Sequence, residues 1–430
     1  MGGRTEAIGA PQTRWRRSVV ALKVRGHSWG IGVNLWSLAD QGAISGGTFL
    51  TSLVLARTLR PAEFGVYALL LGIVLFLNTI QSSLVLYPLS VAGAKADPDL
   101  LRRLASSSLL ITAFCWLPLG ALLLGASFAV GRPGAAPWAF LALLGTQLQL
   151  TIRGAFASQL RLREVLLGDC VSYLGQAGVV WLLVRGGVSS VEPVFAAMAA
   201  TSVVAGVLQA AKLGLTSNSW TATRALGSDY WRLGRWTVLS SMIGLVTVQA
   251  PPWALALFHG PREVAALLVV ANILGATHPV MFSVGNLVVP AVARARLQGG
   301  VSAARRTAIR YGAQGGVLVL PYYLGLLAAP GLALVVFYGR DSPYRGLETE
   351  VRIMAMGYLL IYARIPLESF LRGLEQSRSA MLITVVNAVG IAAFVAPLAS
   401  ARGVLGATGG ITLAALVALI ASVVFARRTA

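Results

Sequence analysis

Twelve long apolar stretches run from about residue 36 to residue 426, and the segments between them alternate between Arg-rich and Arg-poor. A helix needs about 20 mostly apolar residues to cross roughly 30 Å of hydrocarbon. The stretches fall at 36–58, 64–90, 104–130, 136–157, 164–185, 190–212, 235–258, 264–291, 311–338, 351–371, 379–400 and 403–426. Hydrocarbon satisfies no backbone polar group, so stretches of this length are predicted to be helices. The fold class is therefore all-α, a polytopic membrane protein with twelve transmembrane helices. No connecting segment exceeds about 25 residues by this reading, which leaves no room for a soluble catalytic domain.

The loops give an orientation. Lys and Arg are retained on the cytoplasmic side of short loops. Strict alternation puts 25 of the 35 basic residues on the side of the N-terminal tail and 9 on the other; Arg364 falls inside a stretch. Both termini are predicted to be cytoplasmic. The same holds for the 213–234 and 292–310 loops. The hairpins at 58–63 and 259–263 are predicted on the outer side. Residues 14–29 mix Arg, Lys and Trp with Val and Leu, as a surface anchor or a basic tail does.

A net charge of +20 in a soluble protein suggests nucleic acid. Here only 12% of residues are charged. The basic ones sit in loops, where they meet anionic membrane lipids and set topology. No nucleic-acid partner is expected. Cys115 and Cys170 both fall within apolar stretches and read as small packing residues, not a disulfide.

The expected organisation is a basic N-terminal segment 1–35, a six-helix lobe 36–212, a linker 213–234, a second six-helix lobe 235–426 and a C-terminus 427–430. A weak repeat supports the division. Pro61 and Glu63 follow the first stretch, and at an offset of 200 Pro261 and Glu263 follow the seventh. Six-span halves related about the membrane normal are a common transporter plan.

Stretches 1, 2, 7 and 8 carry unusual numbers of polar residues. Ser, Thr and Gly suit close helix contacts. Asn78, Gln81, Gln249, Asn272, His278 and Asn286 are expected together to line a hydrated cavity, since amides facing hydrocarbon are costly. Helix–helix hydrogen bonding is the other account of them. For His278, which precedes Pro279, packing at a kink stands beside cavity hydrogen bonding.

The segment Val-Leu-Ala-Arg-Thr-Leu-Arg-Pro-Ala-Glu-Phe-Gly-Val-Tyr-Ala-Leu at 54–69 resembles the first hairpin of polysaccharide exporters. These belong to the multidrug/oligosaccharidyl-lipid/polysaccharide flippase superfamily. Phe258-His259-Gly260-Pro261-Arg262-Glu263-Val264-Ala265, Asn272 and Val288-Val289-Pro290-Ala291 resemble the second-half counterpart. The resemblance implies two six-helix lobes around a central cavity. It implies flipping of an undecaprenyl-(pyro)phosphate-linked saccharide from the cytoplasmic to the outer leaflet of a bacterial plasma (inner) membrane, with a polysaccharide polymerase and glycosyltransferases as partners. The heavy use of Arg and the few intramembrane acids depart from many relatives and leave ion coupling open.

No phosphate-binding G-x-x-x-x-G-K-[ST] loop, H-E-x-x-H motif or paired Cys motif is present, so no cofactor or metal is expected, and no enzyme. Intramembrane charges are the remaining leads. Arg364 and Glu368 are four apart and meet on one helical face, as a structural ion pair or as a cargo contact. Asp40 lies near the inner face, where it caps the interface or pairs with an Arg; Asp169 is read as interfacial. Arg57 closes the first stretch at the outer face and reads as a headgroup, positioning or phosphate contact. Arg153 is a topology signal or a bidentate ligand for pyrophosphate. Two alternatives remain: an ion-coupled multidrug exporter of the same fold, and an integral-membrane glycosyltransferase or polymerase.

Overall fold

The computed structural model describes residues 31–429, which are helical apart from short connections. Residues 14–29 lie outside the described residues. Eight helices are long and apolar enough to cross a membrane, or nine with one bent pair. Two of the eight are double. The 51-residue helix His278–Ala328 breaks at Gly299 and Gly300, and the 52-residue helix Ser377–Arg428 breaks at Arg402 and Gly403.

Chain-order labels follow from these breaks: α1 Ile31–Thr58, α2 Pro61–Gly93, α3 Pro98–Ala129 and α4 Ala136–Ser158. Then come α5 Leu162–Arg185, α6 Glu192–Leu213 and α7 Trp220–His259. The rest are α8 261–298, α9 301–328, α10 Glu348–Gly373, α11 377–401 and α12 404–428. Twelve crossings result, with Ile31 and Arg428 at the same end of the bundle. That end is called the terminus end below, and the opposite one the hairpin end.

Local chemistry sets the helix starts. Pro61, Pro98 and Pro261 occupy the first helical turn, where a missing N–H costs nothing. The Asp97 carboxylate accepts from the Leu100 amide at 2.8 Å, and Ser219 Oγ accepts from the Ala222 amide at 3.3 Å. α6 stops at Gly214, whose φ of 71° suits glycine.

Several boundaries differ from the sequence expectation. Residues 213–234 are not a linker for most of their length, because α7 begins at the Ser219 cap. Its first turns pack on α3: Tyr230 bonds Ser108 at 3.0 Å, and Thr223 bonds Ser107 at 3.2 Å. The 292–310 loop is helical on both sides of the Gly299–Gly300 turn. The ninth crossing ends at Ala328; Ala329 leaves the helical region, and Pro330–Tyr338 forms a separate short helix. α7 bends by 51° between Leu245 and Thr247. Pro251 and Pro252 lack the N–H that would bind the carbonyls of Thr247 and Val248, which loosens the ladder there. α8 is interrupted at Ala276 and Thr277.

α1 packs on α5, and α4 on α3 and α6; in the second half α10 packs on α8–α9 and on α11–α12. The layout is two six-helix lobes. They meet where α2 packs against α7 and α8, and where α7 packs on α3. Large apolar side chains on the outer faces are exposed, such as Phe114, Leu117 and Leu122 on α3, as expected where lipid is the solvent.

Candidate functional site

The polar residues of α1, α2, α7 and α8 form a seam between the lobes as much as a cavity lining. At the hairpin end the Arg57 guanidinium leaves α1 and enters the second lobe. Its Nε donates to the Phe337 carbonyl at 2.6 Å and its Nη2 to the Val336 carbonyl at 3.0 Å. These carbonyls belong to the last turn of Pro330–Tyr338, which no intrahelical donor satisfies. A cation there also meets the negative end of the helix dipole. Arg57 is therefore a cap across the lobes, not a free headgroup contact. Phe49 packs edge-on against Phe337 at 5.7 Å beside it.

The seam continues inward. Asn272 Nδ2 donates to Ser52 Oγ at 2.5 Å, and Gln249 Nε2 donates to the Gly72 carbonyl at 3.1 Å. Ser83 donates to Ser241 at 3.1 Å. Gly65 at the start of α2 lies against the Pro261 carbonyl at the start of α8, so a methyl group there would overlap it. The two repeated hairpins thus meet each other. Their acids do not match in role. Glu63 pairs with Arg132 inside the first lobe, while the Glu263 carboxylate accepts the Val404 amide at 2.8 Å inside the second.

Gln81 is not at a cavity. It is buried in the first lobe and donates to Thr151 Oγ1 at 2.9 Å and the Gln147 carbonyl at 3.3 Å. Hydrogen bonding between neighbouring helices accounts for it. Asn78 is half-buried on the same helix, and its Oδ1 has no partner.

A charged cluster closes the first lobe toward the terminus end. Arg153 on α4 reaches Asp40 on α1 through Nη2 at 2.7 Å and Asp169 on α5 through Nε at 2.6 Å. Gln149, one turn earlier on the same face of α4, donates to the other Asp169 oxygen at 3.0 Å. Asp169 is fully buried, which corrects its reading as interfacial. A π-helical turn follows it at Cys170–Leu174. One guanidinium serves two carboxyl groups, and the second Asp40 oxygen is buried without a partner. Arg153 is engaged on two edges, so it is not a bare guanidinium awaiting pyrophosphate.

The second lobe holds the other cluster. Arg364, Glu368 and Arg372 stand at successive turns of one face of α10. Glu368 lies 3.1 Å from Arg364 Nε and 3.8 Å from Arg372 Nη2. The sequence reading of an ion pair inside α10 holds, and Arg372 joins it. A cavity of about 410 Å³ between the lobes is lined by Gly72, Thr247, Gln249, Tyr358, Arg364 and Asn387. A second, of about 710 Å³, is lined by His278, Asn286, Tyr358, Glu368, Ser369 and Arg372. Tyr358 and Ile361 border both. His278 sits at the restart of α8 after its break and stacks on Tyr358 at 5.7 Å. One face of α10 thus borders both cavities, with Arg364 on the first and Glu368 and Arg372 on the second. Of the polar residues read as cavity lining, Gln249, His278 and Asn286 are there; Tyr358, Arg372 and Asn387 were not anticipated. Arg372 was assigned to topology alone, although its spacing from Glu368 repeats that of Arg364.

No family model matches the sequence, and no curated protein matches it. Solved structures do match. A multidrug resistance MATE family transporter of the MOP superfamily in its inward-facing conformation superposes with a TM-score of 0.74 at 14% identity, covering 90% of this chain and 94% of that one. The lipid II flippase MurJ in an inward closed conformation gives 0.68 at 9% identity, covering 91% and 87%. An outward-facing MATE family transporter gives 0.58 at 15% identity, covering 93% and 92%. This chain has the fold of the MOP-superfamily transporters. Its fold is shared by the drug-transporting and the lipid-flipping branches alike.

Proposed function

We propose that this protein is a membrane transporter that flips an undecaprenyl-(pyro)phosphate-linked saccharide between leaflets by alternating access. The observation that carries the reading is the charge along the face of α10 that borders the two cavities. Arg364 and Arg372 outnumber Glu368 there, which suits a phosphate-bearing headgroup and repels a cation. Both cavities are otherwise mostly apolar, which suits an amphiphile. Cargo shifts a two-state equilibrium only by binding one state better. A phosphate that displaced the Glu368 carboxylate from the arginines would supply such a difference. The fold accommodates this reading and drug export alike. An ion-coupled multidrug exporter is the second reading, favoured by the two buried acids of the Asp40–Arg153–Asp169 cluster.

Deleting the gene is expected to abolish surface polysaccharide and to make lipid-linked repeat units accumulate on the inner leaflet. Complementation with an Arg364→Gln, Arg372→Gln double variant, confirmed present in the membrane, is expected to restore neither. Intact polysaccharide together with new sensitivity to cationic dyes would instead establish the exporter reading.

The proposed orientation puts the terminus end in the cytoplasm. Reporter fusions after Leu215 and after Arg428 are expected to be active only as cytoplasmic reporters, and fusions at Gly260 only as periplasmic ones. The reverse pattern would overturn the assignment based on loop charge.

A further inference from the structure

A third cavity lies apart from the seam and from both charged clusters. It is a groove of about 200 Å³ at the terminus end of the second lobe, between α9, α10 and α12. Arg305, in the second turn of α9, and Arg427, in the last turn of α12, stand at its mouth; both are exposed. Below them the walls are apolar: Ile309, Leu367, Phe370 and Val423. Pro366 packs closely on Gly312 at the foot of the groove. Neither arginine has an ion-pair partner among the described residues. The sequence offers few. No acid occurs between Glu263 and Asp341, and none after Glu375. The acid on the adjoining helix, Glu368, faces the other cavity, where it serves Arg364 and Arg372.

Two uncompensated guanidiniums at a membrane interface above an apolar cleft match one chemistry, a phosphate ester carrying an acyl chain. We infer that this groove binds an anionic phospholipid, with its phosphate between Arg305 and Arg427 and an acyl chain along Ile309, Leu367 and Phe370. The lipid wedges between α9 and α12 while both rest on α10, so it braces the second lobe from outside. The site stands independently of which cargo the protein carries.

The test uses the purified full chain in neutral detergent. Its apparent melting temperature is followed while phosphatidylglycerol, phosphatidylcholine or inorganic phosphate is added. Phosphatidylglycerol alone is expected to raise it, saturably. In the Arg305→Gln, Arg427→Gln variant the half-saturating concentration is expected to rise about thirty-fold. Arg224→Gln with Arg232→Gln removes the same charge from exposed positions on α7 and is expected to leave binding unchanged. Ile309→Trp keeps both charges and fills the groove; it is expected to abolish saturation. An equal response to phosphatidylcholine or to phosphate would overturn the proposal. So would an equal loss in the α7 variant, or full binding by Ile309→Trp.

Discussion

Arg153→Leu is expected to be the most damaging single substitution in the chain. It strands the carboxylates of Asp40 and Asp169 beside each other, 7% and 0% exposed. Removing one partner of a buried ion pair costs about 3–5 kcal/mol in soluble proteins, which is a large share of a typical folding free energy. Here two buried acids are left side by side, with the Gln149 amide facing one of them. The expected result is little monodisperse protein on fluorescence-detected size exclusion and a much lower melting temperature for what survives. The acids behave differently. The cluster holds two carboxyl groups to one guanidinium, so Asp169→Asn or Asp40→Asn alone keeps an ion pair and is expected to cost far less. Combining both Asn substitutions with Arg153→Leu is expected to restore most of the yield. If Arg153→Leu alone is as abundant and as stable as the parent, the cluster does not hold α1, α4 and α5 together.

That cluster also marks where sequence reading stopped. Twelve crossings were legible because an apolar run of spanning length has one cheap solution in lipid, and the Arg364–Glu368 pair because both partners lie on one helix. Pairing between helices is another matter. Asp169 was weighed by its position near the start of α5 and set aside as interfacial, since nothing in the chain says that α4 turns Gln149 and Arg153 toward it. A usable sign was present: Gln149 and Arg153 are one turn apart, and a polar stripe inside an apolar helix needs polar neighbours. The same limit applies to Arg57. It stands at the end of α1 as a lipid-facing residue would, and its partner carbonyls lie about 280 residues away, on a short helix merged by the sequence into the ninth crossing. Gln81 and Gln249 look alike in sequence, yet one stitches a lobe to itself and the other stitches the two lobes together.

The hairpin-end seam offers the sharpest test of the proposed alternating access. Gly65→Val adds a branched side chain where α2 meets the Pro261 carbonyl. A backbone carbonyl of a helix start cannot rotate away, so α2 and α8 must separate. The expected consequence is a lasting shift toward states open at the hairpin end, with transport lost while abundance is retained. Spin labels at Arg60 and Arg262, both exposed and flanking the contact, read this directly. Their distance distribution is expected to move from a short peak in the parent to a longer one in the variant. Arg57→Ala removes the cap on Val336 and Phe337 and is expected to move populations the same way by a smaller amount, because the α2–α8 contact remains. Gly125→Val makes the same chemical change in α3, where nothing lies within 4 Å of the added group, and is expected to leave the distribution unaltered. A Gly65→Val variant that keeps the parent's short peak and full transport would mean that the repeated hairpins do not form the gate.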